Sequence, residues 1–219
     1  MGSTFIPSSC AHIDTVGSNV LIRGNMPLTG GDLHYAYNEI EAASKVDLMA
    51  RRLIEVPIID NVGERGQFEP LMRAFGVDPA QFPETFWPWW QQPDYDPNNQ
   101  HGTELTTEGF QRPGGVLWRP FEGLPEGVDP KLFLEAPGWD YAGFVEAIIA
   151  LLGTCVDTAI YVHCQLGADR TGAFHIGYLM RSQGMDLTEA SFMANGSTSA
   201  GPPNADYLRL VAAYARSLE

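Results

Sequence analysis

Apolar residues along this chain switch between short continuous runs and runs spaced by three or four, the pattern of strands alternating with helices. Asn19, Val20, Leu21, Ile22, Arg23 and Gly24 predict a short strand that ends in a turn at Asn25, Met26 and Pro27. Over residues 32–52, Leu33, Tyr37, Ile40, Ala43, Val46 and Met49 fall at helical spacing, with Thr29 or Gly30 near the start. Residues 53–60 predict a second strand, in which Pro57, having no N–H to give, argues for an edge position or a bulge. Residues 67–76 suit a short helix.

Past residue 82 the pattern breaks. Residues 82–115 are rich in Pro, Gly, Gln and Asn and carry the cluster Phe86, Trp87, Pro88, Trp89 and Trp90. So long an irregular stretch reads either as aromatic cover for a core edge or as a lid or wall over a site. A strand resumes over 116–121 and a loop follows over 124–138. From Asp140 onward Tyr141, Phe144, Val145, Ile148, Ile149 and Leu152 form the apolar stripe of a helix. Ala159, Ile160, Tyr161 and Val162 then suit a strand buried on both faces. Helical spacing returns over 171–183, and Asp186 with Glu189 has the spacing of a capping box. Asn204, after Pro202 and Pro203, caps a last helix with Tyr207, Leu208, Val211, Tyr214 and Leu218 inward. This alternation predicts an α/β fold, a mostly parallel central sheet flanked by helices. It forms one domain over residues 1–219, with an irregular aromatic, Pro- and Gly-rich insertion at about 82–115.

The chemistry concentrates where the buried strand meets the next helix. His163, Cys164, Gln165, Leu166, Gly167, Ala168, Asp169, Arg170, Thr171 and Gly172 occupy that junction, so Cys164 lies in a tight turn that feeds a helix N-terminus. In such a turn the backbone N–H groups of Gln165, Leu166, Gly167, Ala168, Asp169 and Arg170 converge, and the helix dipole adds positive character. The result is a cup for an anion, at the carboxyl end of a strand where α/β sheets hold their ligands. The same amides and the Arg170 guanidinium favour the thiolate of Cys164. One loop supplies both a nucleophile and an oxyanion clamp. A lone cysteine is by default a buried structural residue, but here it coincides with a histidine, a glycine, an arginine and a threonine in a strand-loop-helix context.

This segment resembles the signature of the protein tyrosine phosphatase superfamily: His-Cys, five residues, Arg, then Ser or Thr. Similarity elsewhere is weaker. Leu21, Ile22, Arg23, Gly24 and Asn25, followed by Leu28, Thr29, Asp32 and Leu33, look like the first strand of atypical bacterial tyrosine phosphatases, and Ile58, Ile59 and Asp60 like their second. Pro203 and Asn204 before an aromatic helix are similar to the dual-specificity pattern, whereas most of 82–138 matches nothing in the family. The resemblance implies a phosphatase-type phosphate cup and a phosphocysteine mechanism that uses no metal and no cofactor. Cys164 attacks phosphorus in line, Arg170 and the loop amides hold the equatorial oxygens, Thr171 assists the departing thiolate, and water hydrolyses the intermediate. The three cysteines, Cys10, Cys155 and Cys164, do not fall at zinc spacing, and Cys155 is expected to pack at a helix end. His163 is expected to orient the loop backbone. Asn204 either contacts the loop or the hydrolytic water, or serves only as a helix cap.

The family usually draws its general acid from an aspartate on a mobile loop ahead of the signature, and no clear counterpart is visible. Asp169 is the first candidate, because an aspartate at that place in myotubularins and some bacterial tyrosine phosphatases has an acid or a loop-supporting role. Both roles are open for it here. Glu135, 29 residues before Cys164, is the second candidate, and Asp129 and Glu122 follow by similar arguments. Each of these three also reads as a solvated loop carboxylate.

Charge narrows the substrate. The formal net charge is −14, with Lys45 and Lys131 the only lysines, so the surface should repel nucleic acid and anionic membrane. No apolar run is long enough to span a bilayer, no leader is visible, and few unpaired cysteines suit a reducing compartment; a cytoplasmic location is expected. Gln165, Leu166 and Ala168 stand where phosphatases of inositol phosphates generally place lysines. The expected partner is therefore a phosphotyrosine protein or a singly phosphorylated small metabolite such as a nucleoside, sugar or other ring-bearing monoester. Other classes that use such a cup are a catalytically silent phosphate-binding module and, further off, a rhodanese or arsenate reductase.

Overall fold

A computed structural model describes residues 4–29, 34–59, 115–117, 120–135 and 140–219. Along the described chain run β1 (Ala11–Val16), β2 (Asn19–Gly24), β3 (Leu28–Thr29), β4 (His34–Tyr35), α1 (Tyr37–Ser44), β5 (Arg52–Pro57) and β6 (Gly115–Val116). They are followed by α2 (Lys131–Leu134), α3 (Tyr141–Thr154), β7 (Thr158–His163), α4 (Asp169–Gln183), α5 (Leu187–Gly196) and α6 (Ala205–Ser217). The main sheet has the order β1-β2-β7-β5-β6, and all its pairings are parallel except β1 with β2. The expected α/β architecture with a mostly parallel sheet is therefore present, and the signature strand β7 is its central member.

Strand periodicity explains the layering. Leu21, Ile54, Val56, Ile160 and Val162 face a core shared with α3, α4 and α6, where Phe144, Phe174 and Tyr214 pack. Their alternates Val20, Ile22, Leu53, Ala159 and Tyr161 face a second core closed by Tyr37 and Ile40 of α1 and by Phe5. Every residue of β7 is buried, as a strand covered on both faces requires.

Several expectations need correction. Pro57 does not mark an edge: β5 lies between β7 and β6. Pro57 is tolerated because it is the last residue of the strand, and the next residue, Ile58, donates its N–H to His163 O at 2.7 Å. The helix expected over 32–52 is confined to Tyr37–Ser44. His34 and Tyr35 pair with Thr29 and Leu28 in a small antiparallel ribbon, and Lys45 adopts a left-handed φ of 60° that ends the helix. The strand β1 went unpredicted because it is an edge strand with mostly exposed or half-exposed positions and little apolar contrast. The loop assigned to 124–138 contains the short helix α2, and the strand expected from 116 is described only at Gly115–Val116. The helix expected over 67–76 and the tryptophan cluster lie outside the described residues.

Candidate active site

The loop between β7 and α4 is shaped by what its carbonyls bond to. His163 O accepts from Ile58 N–H at 2.7 Å, Cys164 O faces His163 Nδ1 at 3.1 Å, and Gln165 O accepts from Met26 N–H at 3.2 Å. Gly167 O accepts from Arg23 Nη2 at 2.5 Å, and Ala168 O accepts from Gly172 N–H at 2.8 Å in the first turn of α4. In a trans peptide the N–H opposes the C=O, so tying these oxygens to the framework turns the following N–H groups of Cys164, Gln165, Leu166, Ala168 and Asp169 the other way. That is the arrangement of an anion cup at a helix N-terminus. Gly167 is required for the turn: its φ is +78°, and a Cβ there would lie 2.9 Å from Gly24 O.

The loop opens into a cleft of about 870 Å³. Cys164, Gln165, Leu166, Asp169 and Arg170 line its base. Val128, Leu132 and Phe133 contribute apolar lining, and Glu122, Asp206, Asn204 and Tyr207 contribute polar lining. Cys164 is only 5% exposed, which gives a ligand in the cup one direction of approach, through this cleft. Thr171 is fully buried behind it, and its hydroxyl has no hydrogen-bond partner among the described residues.

Arg170 is held on two edges. Its Nη1 donates to Ile58 O at 2.7 Å and its Nε donates to the Tyr207 hydroxyl at 3.1 Å. Tyr207 in turn donates to Glu122 Oε2 at 3.0 Å. Burial pushes the Tyr207 hydroxyl up from its ordinary value, so it stays protonated and able to fill both roles. Asp169 Oδ1 accepts from the backbone N–H of Asn204 at 2.7 Å, while the Asn204 side chain caps α6 by accepting from Asp206 N–H and Tyr207 N–H. Asn204 therefore acts as the cap and also fixes Asp169.

The carboxylate candidates separate clearly. Asp169 and Glu122 both face the cleft. Glu135, ranked second, is an exposed residue at the C-terminal end of α2, and the cleft is lined from that helix by Leu132 and Phe133. Asp129 is exposed and accepts from Lys131 N–H at the start of the same helix. Neither Glu135 nor Asp129 lines the cleft, which counting along the chain does not reveal. Cys155 sits buried at the C-cap of α3, as expected. Among the described residues no group of three or more His, Cys, Asp or Glu side chains could hold a metal ion. None of the described helices is long and apolar enough to cross a membrane.

Two residues of the site escaped notice in the sequence. Glu55 is fully buried and faces His163 Nε2 with one oxygen, while the other accepts from the Tyr35 hydroxyl. It thereby sets the ring plane of His163, over which Tyr161 stacks with centroids 5.5 Å apart. Arg23 is the second. Each is a lone charge in an apolar strand, Leu53-Ile54-Glu55-Val56 and Leu21-Ile22-Arg23-Gly24, and that interruption was the available signal, since a buried charge demands partners.

The site is thus a strand-loop-helix cup on a mostly parallel sheet, with Cys164 and Arg170 both lining the cleft. No protein-family model matches the chain, and no curated protein does. Solved structures match along nearly its whole length. The human tyrosine phosphatase-like serine/threonine/tyrosine-interacting protein is 14% identical with a TM-score of 0.50, over 95% of this chain and 99% of that one. Human DUSP28 is 15% identical with a TM-score of 0.48 over 94% of each chain, and TpbA of P. aeruginosa is 17% identical with a TM-score of 0.45 over 93% of this chain and 82% of that one. At such identities the likeness is one of architecture alone: the chain shares the fold of the tyrosine phosphatase-like interacting protein.

Proposed function

We propose that this protein is a phosphomonoester hydrolase that works through a phosphocysteine intermediate. The observation that carries the reading is the convergence of Cys164, the amides of its loop and the doubly held Arg170 at the base of one cleft. The Cys164 sulfur attacks phosphorus in line and the P–O bond to the leaving group breaks. Arg170 and the loop N–H groups take the charge of the equatorial oxygens. Asp169 gives its proton to the leaving oxygen; its Oδ1 is fixed by Asn204, and no other hydrogen bond reaches the carboxylate from the described residues. Water then attacks the phosphocysteine, Asp169 takes back a proton, and the sulfur leaves as thiolate with the Thr171 hydroxyl, buried and unengaged, to stabilise it. Glu122 and Tyr207 serve as supports of Arg170.

The cleft favours a singly phosphorylated substrate. Its cationic side chain is Arg170, set among Glu122, Asp169 and Asp206, and its wall of Val128, Leu132 and Phe133 suits a ring or other apolar alcohol. Phosphotyrosine in a protein is our first choice and a ring-bearing small monoester the second. A silent phosphate-binding role is the third reading, prompted by the phosphatase-like interacting protein among the similar folds, but the nucleophile and the arginine are both present here. The test is phosphate release by wild type and Cys164→Ser from phosphotyrosine peptides, phosphoserine peptides, nucleotides and sugar phosphates. Turnover by wild type alone is expected. Turnover retained in Cys164→Ser sinks the covalent mechanism, and absence of turnover on every substrate favours the binding role.

A further inference from the structure

The Gly167 carbonyl has an uncommon partner. Arg23, on the strand beside the signature strand, donates from Nη2 to that oxygen at 2.5 Å and from Nη1 to Ala194 O of α5 at 3.1 Å. Nη1 also lies 3.1 Å from His175 Nδ1 on α4. The side chain is 1% exposed, and among the described residues no carboxylate pairs with it. A buried cation without a countercharge is unfavourable, so its retention calls for an anion nearby.

Its titratable neighbours Cys10 and His175 do not supply one. Burial pushes the Cys10 thiol up to about 12 and the His175 ring down to about 3, so both are neutral near pH 7. Burial also pulls the Arg23 guanidinium down to about 10, which leaves it charged, while negative charge at Cys164 acts in the opposite direction. The anion that completes the balance is one held in the cup, either the Cys164 thiolate or the phosphate of a bound ester.

We infer that Arg23 is a positioning residue of the anion site: through the Gly167 carbonyl it turns the Gly167–Ala168 peptide so that Ala168 N–H faces the cup, and its charge acts from beneath as counterion to whatever anion sits there. The inference rests on the reading of this loop as a phosphate site. It adds a third source of positive potential to the loop amides and Arg170, on the buried side that no ligand touches. Arg23 also ties the cup to α5 through Ala194, so the loop is braced from a helix that does not line the cleft.

The test uses two readouts that need no turnover, at one fixed pH near neutral: the dissociation constant for orthovanadate and the rate of alkylation of Cys164 by iodoacetamide, located by mass spectrometry. In Arg23→Met both are expected to worsen about 10- to 100-fold, the size of one charge-assisted hydrogen bond. Arg23→Lys, which keeps the charge, is expected to alkylate within about threefold of wild type. Wild-type behaviour of Arg23→Met overturns the inference. Equal losses in the Met and Lys variants also overturn it, since they reduce Arg23 to a structural brace. If Arg23→Met does not fold, the folded Lys variant decides alone: retained alkylation supports the inference and a loss of about tenfold or more overturns it. A wild-type protein that neither binds vanadate nor alkylates at Cys164 faster than a free thiol refutes the phosphate-site reading instead, so the two failures are distinct.

Discussion

The Tyr207 hydroxyl accepts a hydrogen bond from Arg170 Nε at 3.1 Å, which makes the helix Ala205–Ser217 a support for the loop proposed to hold phosphate. A guanidinium clamps two phosphate oxygens only if its plane is fixed, and here the plane is fixed from Tyr207 on one edge and Ile58 O on the other. Tyr207→Phe removes one edge and leaves the ring packed against Phe121. Its kcat/KM is expected to fall about tenfold, with about 1 kcal/mol lost in stability. Steady-state kinetics beside a denaturant titration check both, and an unchanged kcat/KM denies Tyr207 any part in placing Arg170.

Asp169 and Glu122 share the cleft, and the proposed mechanism gives them different jobs. If Asp169 donates the proton, Asp169→Asn loses much more rate on an alkyl phosphate than on p-nitrophenyl phosphate, whose leaving group needs little help; general acids contribute about 10²–10⁴-fold. Glu122→Gln, acting through Tyr207 on Arg170, is expected to slow both substrates alike and by less. The ratio of the two rates in each variant decides, and a reversed pattern would make Glu122 the acid.

Much of this architecture is readable from sequence, because β7 and the run of residues after it carry strong local signals: an apolar run over Ala159, Ile160, Tyr161 and Val162, a glycine, and the onset of helical spacing at one place. Asn204 as a cap is equally local. What sequence leaves hidden is non-local. Arg23 meets Gly167 across 144 residues and Tyr207 meets Glu122 across 85, and nothing in the spacing along the chain reports such pairings. Glu135 illustrates the limit of counting, since a distance of 29 residues from Cys164 does not report that it sits exposed at the end of α2, outside the lining of the cleft.

Gly167→Ala tests the cup geometry directly. At a φ of +78°, with Gly24 O 2.9 Å from the added Cβ and Asn25 N at 3.2 Å, the backbone has to move. About 1–3 kcal/mol of stability should be lost. Orthovanadate binding and turnover should fall by about 100-fold or more, as when an oxyanion donor is removed. Calorimetry with added vanadate reads both effects, and a variant that keeps wild-type affinity shows that the loop tolerates another path.

His175 sets a pH dependence of stability. Burial lowers its pKa in the folded chain to about 3, against about 6.5 when unfolded. The unfolded state therefore binds the extra proton first as pH falls. The contribution is complete above about pH 6.5 and declines by about 1.4 kcal/mol per pH unit on the way down toward 3. His175→Gln, which keeps an acceptor for Arg23, is expected to show a shallower fall in urea-measured stability between pH 6.5 and 4.5, by about one proton in slope. Parallel slopes for the two proteins would show that the ring does not stay neutral.

Leu132 offers the cleanest probe of the apolar wall, since it lines the cleft yet is 58% exposed and takes no part in the core. Leu132→Ser is expected to raise KM about 3- to 10-fold for aryl phosphates, to leave kcat nearly constant, and to spare small alkyl phosphates. An equal change for both substrate types would mean that the leaving group does not rest on this wall.

The parallel register of β2 against β7, with Gly24 opposite His163, bears on how the cup is assembled. A chain segment from residue 140 onward contains the whole signature, yet Met26 and Arg23, which bond Gln165 O and Gly167 O, come from the other end of the sequence. Closing so long a loop is a slow, entropically costly event in folding. The loop around Cys164 is consequently assembled only when these distant parts of the chain have met, so on the proposed mechanism a partly folded or truncated chain would lack the cup, and competence for chemistry would become a measure of completed folding.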